Sequence, residues 1–321
     1  MQVKTDRPFK IGLALGSGSA RGWAHLGVIQ AIEESGIPIA CVAGSSIGAL
    51  AGAVYASGNH HRLFEFASEI DWRRLASFFD PVFPRSGLVD GKKIAAFIRS
   101  HVHQANIEDL PIPFCAVATD LSTGEEVHLR EGDVIEAVRA SISLPGIFTP
   151  VRVGDRFLLD GGMSNPVPVS VARAMGADYV IAVDINHDIV GKKRHTQSAR
   201  RERRTERRRK RLTKIFGEES RVVEAFIARW EREENRFWSR FRAKREERGV
   251  PNIFDVLTTS INILESRITS TRLQSDPADL LIQPELGHIR FLEFSSAQEG
   301  IEAGYEAAKA ALKSLSSPSL G

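Results

Sequence analysis

An α/β fold with a mainly parallel central sheet and helices on both faces is predicted for this 321-residue chain by three observations. Short apolar runs alternate with segments of helical periodicity, the period of βα units rather than of a bundle or a sandwich. Two glycine-rich turns, Gly16-Ser17-Gly18-Ser19-Ala20-Arg21-Gly22 and Gly44-Ser45-Ser46-Ile47-Gly48, each lie directly between a strand and a helix. A third turn, Asp160-Gly161-Gly162, ends a strand. In such sheets the crossovers are right-handed and the active residues gather at the C-terminal strand ends.

The elements follow in order. Residues 9–15 read as a buried strand. Residues 23–34 place Ala24, Val28, Ala31 and Ile32 at helical spacing. Residues 38–43 then read as strand and 47–56 as helix. Further alternation predicts helix over 92–102, strand over 113–120, helix over 134–140, strand over 157–160, helix over 167–174 and strand over 179–184. Regular structure resumes with helix over 253–267, strand over 280–284 and helix over 297–313. These boundaries predict a catalytic core over 1–190, a basic insertion over 191–250 and a C-terminal helix-strand-helix over 251–321 that completes the core.

Composition excludes several classes. With 42% hydrophobic and 26% charged residues the chain has ample material for a core, which rules out collagen, a disulfide mini-protein and wholesale disorder. Cys41 and Cys115 fall in apolar runs and read as buried thiols. The stretch from Ser35 to His61 lacks Lys, Arg, Asp and Glu, but it is rich in Gly, Ala and Ser and reads as strand, turn and buried helix rather than as a membrane span. The polar start from Met1 to Lys10 has no secretory apolar stretch, so a cytoplasmic location is expected.

The net charge of +3 conceals a split. Residues 192–248 hold 22 Lys/Arg against 10 Asp/Glu, a local excess of +12 that leaves −9 for the remainder. Within it Trp230, Phe237, Trp238 and Phe241 recur in a charged helical sequence. A solvated insertion without a partner is one reading. An interfacial segment drawn to anionic lipid on the inner membrane face is an equal one. Nucleic-acid or acidic-protein binding is the weaker third, because no base-reading fold accompanies the arginines.

The turns carry the chemistry. In Gly44–Gly48 the pattern G-x-S-x-G sets Ser46 on a tight strand-to-helix turn with its hydroxyl presented, and small neighbours let strand and helix close around it. The helix start beside Ser46 offers free N–H groups to a developing oxyanion. Clustered glycines in Gly16–Gly22 free the backbone to aim several N–H groups at one anionic point, either an oxyanion hole or a phosphate cradle. A dinucleotide fingerprint would need glycine where Arg21 stands. Asp160, at a strand end before Gly161 and Gly162, is placed where a general base belongs.

Together these motifs resemble the patatin-like phospholipase family, especially its bacterial branch of small RssA-type proteins. The resemblance extends through residues 140–151 and through Ala118-Thr119-Asp120-Leu121-Ser122-Thr123-Gly124, and covers about 9–190 and 253–321. Ser17 and Ser19 depart from it, standing where glycine is common. The resemblance implies a lipid acyl hydrolase with Ser46 as nucleophile and Asp160 as base. It implies an oxyanion hole from the loop Gly16, Ser17, Gly18, Ser19, Arg21 and Gly22 with the Ile47 N–H, and phospholipid, lysophospholipid or simpler acyl-ester substrates. Each oxyanion donor is worth roughly 3–4 kcal/mol by precedent. Arg21 either anchors the loop or faces a lipid phosphate, the anchor being favoured.

A Ser-Asp-His order is the competing mechanism, with His187 as the one well-placed histidine after Asp160. His25 reads as a packed helix residue. No Cys/His/carboxylate spacing suggests a metal, and no cofactor is expected. The alternative from another class is a weakly active patatin-fold scaffold or regulator working through its basic insertion. Acyl length, sn-position, headgroup and oligomeric state have no signature in the sequence.

Overall fold

The computed structural model describes residues 8–69, 91–189 and 253–313. The chain divides into a unit of residues 1–190 with 260–321 and a second of 191–259, and the architecture below is that of the first. The expected basic insertion and its aromatic residues lie outside the described residues. Among the described residues no helix is long and apolar enough to cross a membrane.

Among the described residues eight strands form one sheet. Strand β1 (Ile11–Leu15) leads through a 3-10 turn (Ser19–Gly22) into α1 (Trp23–Glu34), and β2 (Ile39–Ser45) leads into α2 (Ile47–Ala56). Helices α3 (His60–Glu69) and α4 (Lys92–His101) precede β3 (Phe114–Asp120), β4 (Glu126–Leu129) and α5 (Val134–Ser141). Then come β5 (Val151–Val153), β6 (Arg156–Asp160), α6 (Val169–Ala174), β7 (Tyr179–Val183), α7 (Ile253–Ser275), β8 (Leu280–Ile282) and α8 (Ala297–Lys313). The spatial order is β5-β6-β3-β2-β1-β7-β8, with β4 pairing β3.

Five neighbouring strands, β3-β2-β1-β7-β8, are parallel as expected. The pairs β3–β4, β3–β6 and β5–β6 are antiparallel, so the sheet is mixed at one end. Alternating side chains of each central strand feed two cores. Leu13, Leu15, Val42, Phe114, Ala116, Ile181 and Val183 pack under α1, α2, α5 and α8. Ala14, Ala43, Cys115, Val117, Val180 and Ala182 face α6, with Leu273 of α7 packed against them. The second face carries smaller residues. Cys41 and Cys115 are buried free thiols on adjacent strands.

Three elements lie outside the sequence expectation. Helix α3 carries Leu63 and Ala67 at the four-residue spacing of a buried face, a signal that was available. Strands β4 and β5 are short edge strands with half-buried or exposed residues, which leaves almost no periodicity to read.

Candidate active site

The parallel strands β1 and β2 end at one level, and both glycine-rich turns start there. Gly44 and Ser45 close β2, Ser46 follows it, and Gly48 is the second residue of α2. Ser46 adopts φ 55° and ψ −124°, a left-handed conformation that costs a non-glycine residue about 1–3 kcal/mol. Surrounding bonds hold it there. The Ser46 N–H donates to Ser141 Oγ at 2.9 Å, and the Ser141 hydroxyl donates to the Val117 carbonyl at 2.5 Å. The strained turn aims the Ser46 hydroxyl at Asp160, donating to Oδ2 at 2.6 Å.

Asp160 reaches this point from an unexpected direction. It ends β6, which runs antiparallel to β3, so the strand enters from beyond the edge where β2 leaves off. Its other oxygen, Oδ1, accepts the Gly162 N–H at 2.8 Å, and its backbone carbonyl accepts the Thr119 hydroxyl at 2.8 Å. Gly161 and Gly162 form the 3-10 turn that follows. The carboxyl group is fully buried, and burial pushes its pKa up to about 7 against the opposing pull of the Ser46 hydroxyl and the Gly162 N–H.

The structure divides the glycine loop by task. The Gly16 N–H donates to the Val183 carbonyl at 3.1 Å and the Ser17 N–H to the Pro166 carbonyl at 2.8 Å, so neither is available to an oxyanion. This corrects the expectation for both residues: their donors tie the loop to neighbouring chain. The N–H groups of Gly18, Ser19 and Ile47 make no backbone bond among the described residues. Ser19, at φ 51°, lines the same cavity as Ser46. Gly22 is a contact point: a side chain there would strike Ile47, so glycine lets the loop close on the start of α2.

Arg21 is also corrected as an oxyanion residue. Its side chain is buried, with Nε donating to the Gly18 carbonyl at 3.2 Å and Nη2 to Asn262 Oδ1 at 2.9 Å. Burial lowers its pKa to about 10, so it remains a cation at neutral pH, anchoring the loop from behind. His25 supports the same loop. Burial drops its pKa to about 4, and the neutral ring donates from Nε2 to the Gly16 carbonyl at 2.7 Å.

Ser46 and Asp160 open into an apolar cavity of about 160 Å³. Leu26 and Leu50 line it from α1 and α2, Leu63 and Phe66 from α3, Ile94 and Phe97 from α4, and Phe291 and Phe294 from the segment before α8. Apolar walls around a single hydroxyl–carboxyl pair suit an acyl chain with its ester at the polar end.

Among the described residues no histidine hydrogen-bonds Ser46 or Asp160. His187 lines a separate polar depression with Asp184, Asn186 and Gln283. Glu33, His60 and His61 bring three ligand-type atoms within 4.8 Å, a grouping that sequence spacing did not announce. None of the three lines the cavity, and His60 Nε2 meets Glu33 at 2.8 Å as an ordinary imidazole–carboxyl contact.

A family model described as patatin-like phospholipase covers residues 13–173, from β1 through most of α6. The chain belongs to the patatin-like phospholipase family. A relative described as an uncharacterised NTE family protein of Mycobacterium tuberculosis is 34% identical over 340 aligned positions, covering 98% of this chain and 94% of the relative. The mouse patatin-like phospholipase domain-containing protein 6 is 36% identical over 186 positions, covering 54% of this chain and 13% of that protein. VipD from Legionella pneumophila, a solved structure, aligns with 14% identity and a TM-score of 0.44 over 96% of this chain and 67% of VipD. The family model and the mycobacterial relative place the chain in the family without singling out the RssA-type branch. Patatin-like membership supports lipid hydrolysis as its general activity.

Proposed function

We propose that the chain is a serine lipid acyl hydrolase with Ser46 as nucleophile and Asp160 as its base. The observation that carries this reading is the 2.6 Å bond from Ser46 Oγ to Asp160 Oδ2 inside an apolar cavity. As Ser46 Oγ attacks the ester carbonyl, its proton passes to Asp160 Oδ2. The oxyanion takes the free N–H groups of Gly18, Ser19 and Ile47. Collapse expels the alcohol, which leaves with the proton from Asp160. Water then gives a proton to Asp160 and its oxygen attacks the acyl-Ser46 carbonyl. Release of the fatty acid returns that proton to Ser46.

An unperturbed Asp is a weak base at neutral pH, with a pKa of about 3.9. Burial of Asp160 brings its pKa to about 7, where a base is most effective and still ionised in a large fraction of molecules. A fluorophosphonate should label the wild type, and both labelling and ester turnover should vanish in Ser46→Ala. A folded wild type that neither labels nor turns over any acyl ester would leave the scaffold reading in its place.

A further inference from the structure

Behind the Asp160 turn stands a second buried carboxyl group that the proposed chemistry does not use. Glu265 of α7 is 2% exposed, and α7 lies beyond the residues matched by the family model. A side chain at position 162 would strike Glu265 Oε1 and meet Asp160 Oδ1 at 3.1 Å, so the two carboxyl groups face each other across Gly162. The one hydrogen bond to Glu265 among the described residues comes from Asn186 Nδ2 to Oε2 at 3.0 Å. Ser17 Oγ, buried in the glycine loop, approaches the same carboxyl without forming a bond of good geometry.

The surrounding charges favour a neutral Glu265. Among the described residues Arg21 is the cation of this buried cluster, and its hydrogen bonds go to Gly18 and Asn262 rather than to Glu265. Three acids share its field, Glu265, Asp188 and Asp184, while Asp160 acts on Glu265 directly. Asp184 accepts the Asn186 N–H at 3.0 Å and Gln283 Nε2 at 3.1 Å, and Asp188 accepts the Gly287 N–H at 2.8 Å. Asp160 accepts two donors. Glu265, with one amide donor and a carboxyl neighbour, is an acid for which ionisation is costly.

We infer that Glu265 is a positioning residue: as a neutral acid it packs the glycine loop at Ser17 against the Asp160-Gly161-Gly162 turn, and its ionisation turns the site off at alkaline pH. An anion there repels the developing oxyanion at Gly18 and Ser19 and pushes against the Asp160 carboxylate, separating the two halves of the site. Burial and the Asp160 charge push Glu265 up to about 8.

This inference rests on Ser46 and Asp160 acting as proposed, and pH profiles of kcat/KM and of fluorophosphonate labelling test it. In the wild type both should climb as Asp160 ionises and then fall, approaching tenfold per pH unit, above about 8. Glu265→Gln keeps the shape and the Asn186 contact but cannot ionise. It should stay within about threefold of wild type near neutrality and lose the alkaline fall. A merely structural role would lower activity at every pH and leave the profile unchanged. Ser46-dependent turnover with the same alkaline limb in Glu265→Gln overturns this inference alone, whereas turnover that survives Ser46→Ala overturns the dyad and this inference with it. Should Glu265→Gln fail to fold, infrared titration of the wild type decides. A protonated-carboxyl band must persist beyond the titration of Asp160, and its absence overturns the inference.

Discussion

Asp160 pairs with Ala118 in antiparallel register, one residue beyond Val117, which pairs with Ser45 in parallel. Strand β3 is thus the common template for both halves of the reacting pair. Its first residues align β2, which delivers Ser46 at its exit, and its last residues align β6, which returns to the same level from the opposite direction. The 2.6 Å contact between Ser46 and Asp160 is set by sheet register on both sides. Ser141 of α5 reinforces it by bridging the Ser46 N–H and the Val117 carbonyl.

Asp160 should weaken the fold it serves. Its folded pKa of about 7 lies above the ordinary aspartate value of 3.8, so the native state binds this proton more tightly than the unfolded chain. The stabilisation is complete below 3.8 and is lost as pH rises through about 7, to an upper bound of about 4 kcal/mol. Asp160→Asn, neutral at every pH, should melt higher than wild type by calorimetry in mildly alkaline buffer, with the gap closing in acid, while ester turnover is lost. A variant that melts no higher than wild type in alkali contradicts the assignment of the shift.

Ser141→Ala removes an acceptor from the Ser46 N–H and a donor from the Val117 carbonyl at once. The cost should be about 1–3 kcal/mol, read as a lowered denaturation midpoint. Because the strained turn loses its tether, kcat should fall tenfold or more by the transition-state relation, with KM little changed. An effect confined to KM would assign Ser141 to substrate binding instead.

The cavity predicts chain-length selection. Ile94 on α4 is half-buried at its wall, so a larger ring there has room at the surface side. Ile94→Trp should cut kcat/KM for long-chain esters by roughly tenfold, on the scale of a lost apolar contact, while leaving short aryl esters unaffected. Equal losses on both substrates would show that acyl chains do not occupy this cavity.

Much of the site was legible because its signals are local. Strand–turn–helix spacing around Gly44–Gly48 and Gly16–Gly22, and the strand end at Asp160, depend on neighbours a few residues away. The same holds for the alternation that predicts the parallel sheet and for the burial of Cys41 and Cys115. The split between an acidic body and the basic stretch 192–248 is likewise a property of the sequence alone.

Tertiary structure decided what each loop residue does. The carbonyls that consume the Gly16 and Ser17 donors belong to Val183 and Pro166, and the partner of Arg21 is Asn262, 241 residues away. Glu265 gave no signal of its own, because a carboxyl on a helix reads as solvated until the chain has folded. On α7 the buried side carries Asn262, Glu265 and Thr269 beside Ile261, while Ile263 and Leu264 are exposed, a departure from ordinary amphipathic patterning. Burial and long-range pairing, which no short window of sequence contains, turned an oxyanion loop into a loop with two free donors, set a cation behind it, and gave Asp160 a second acid as its neighbour.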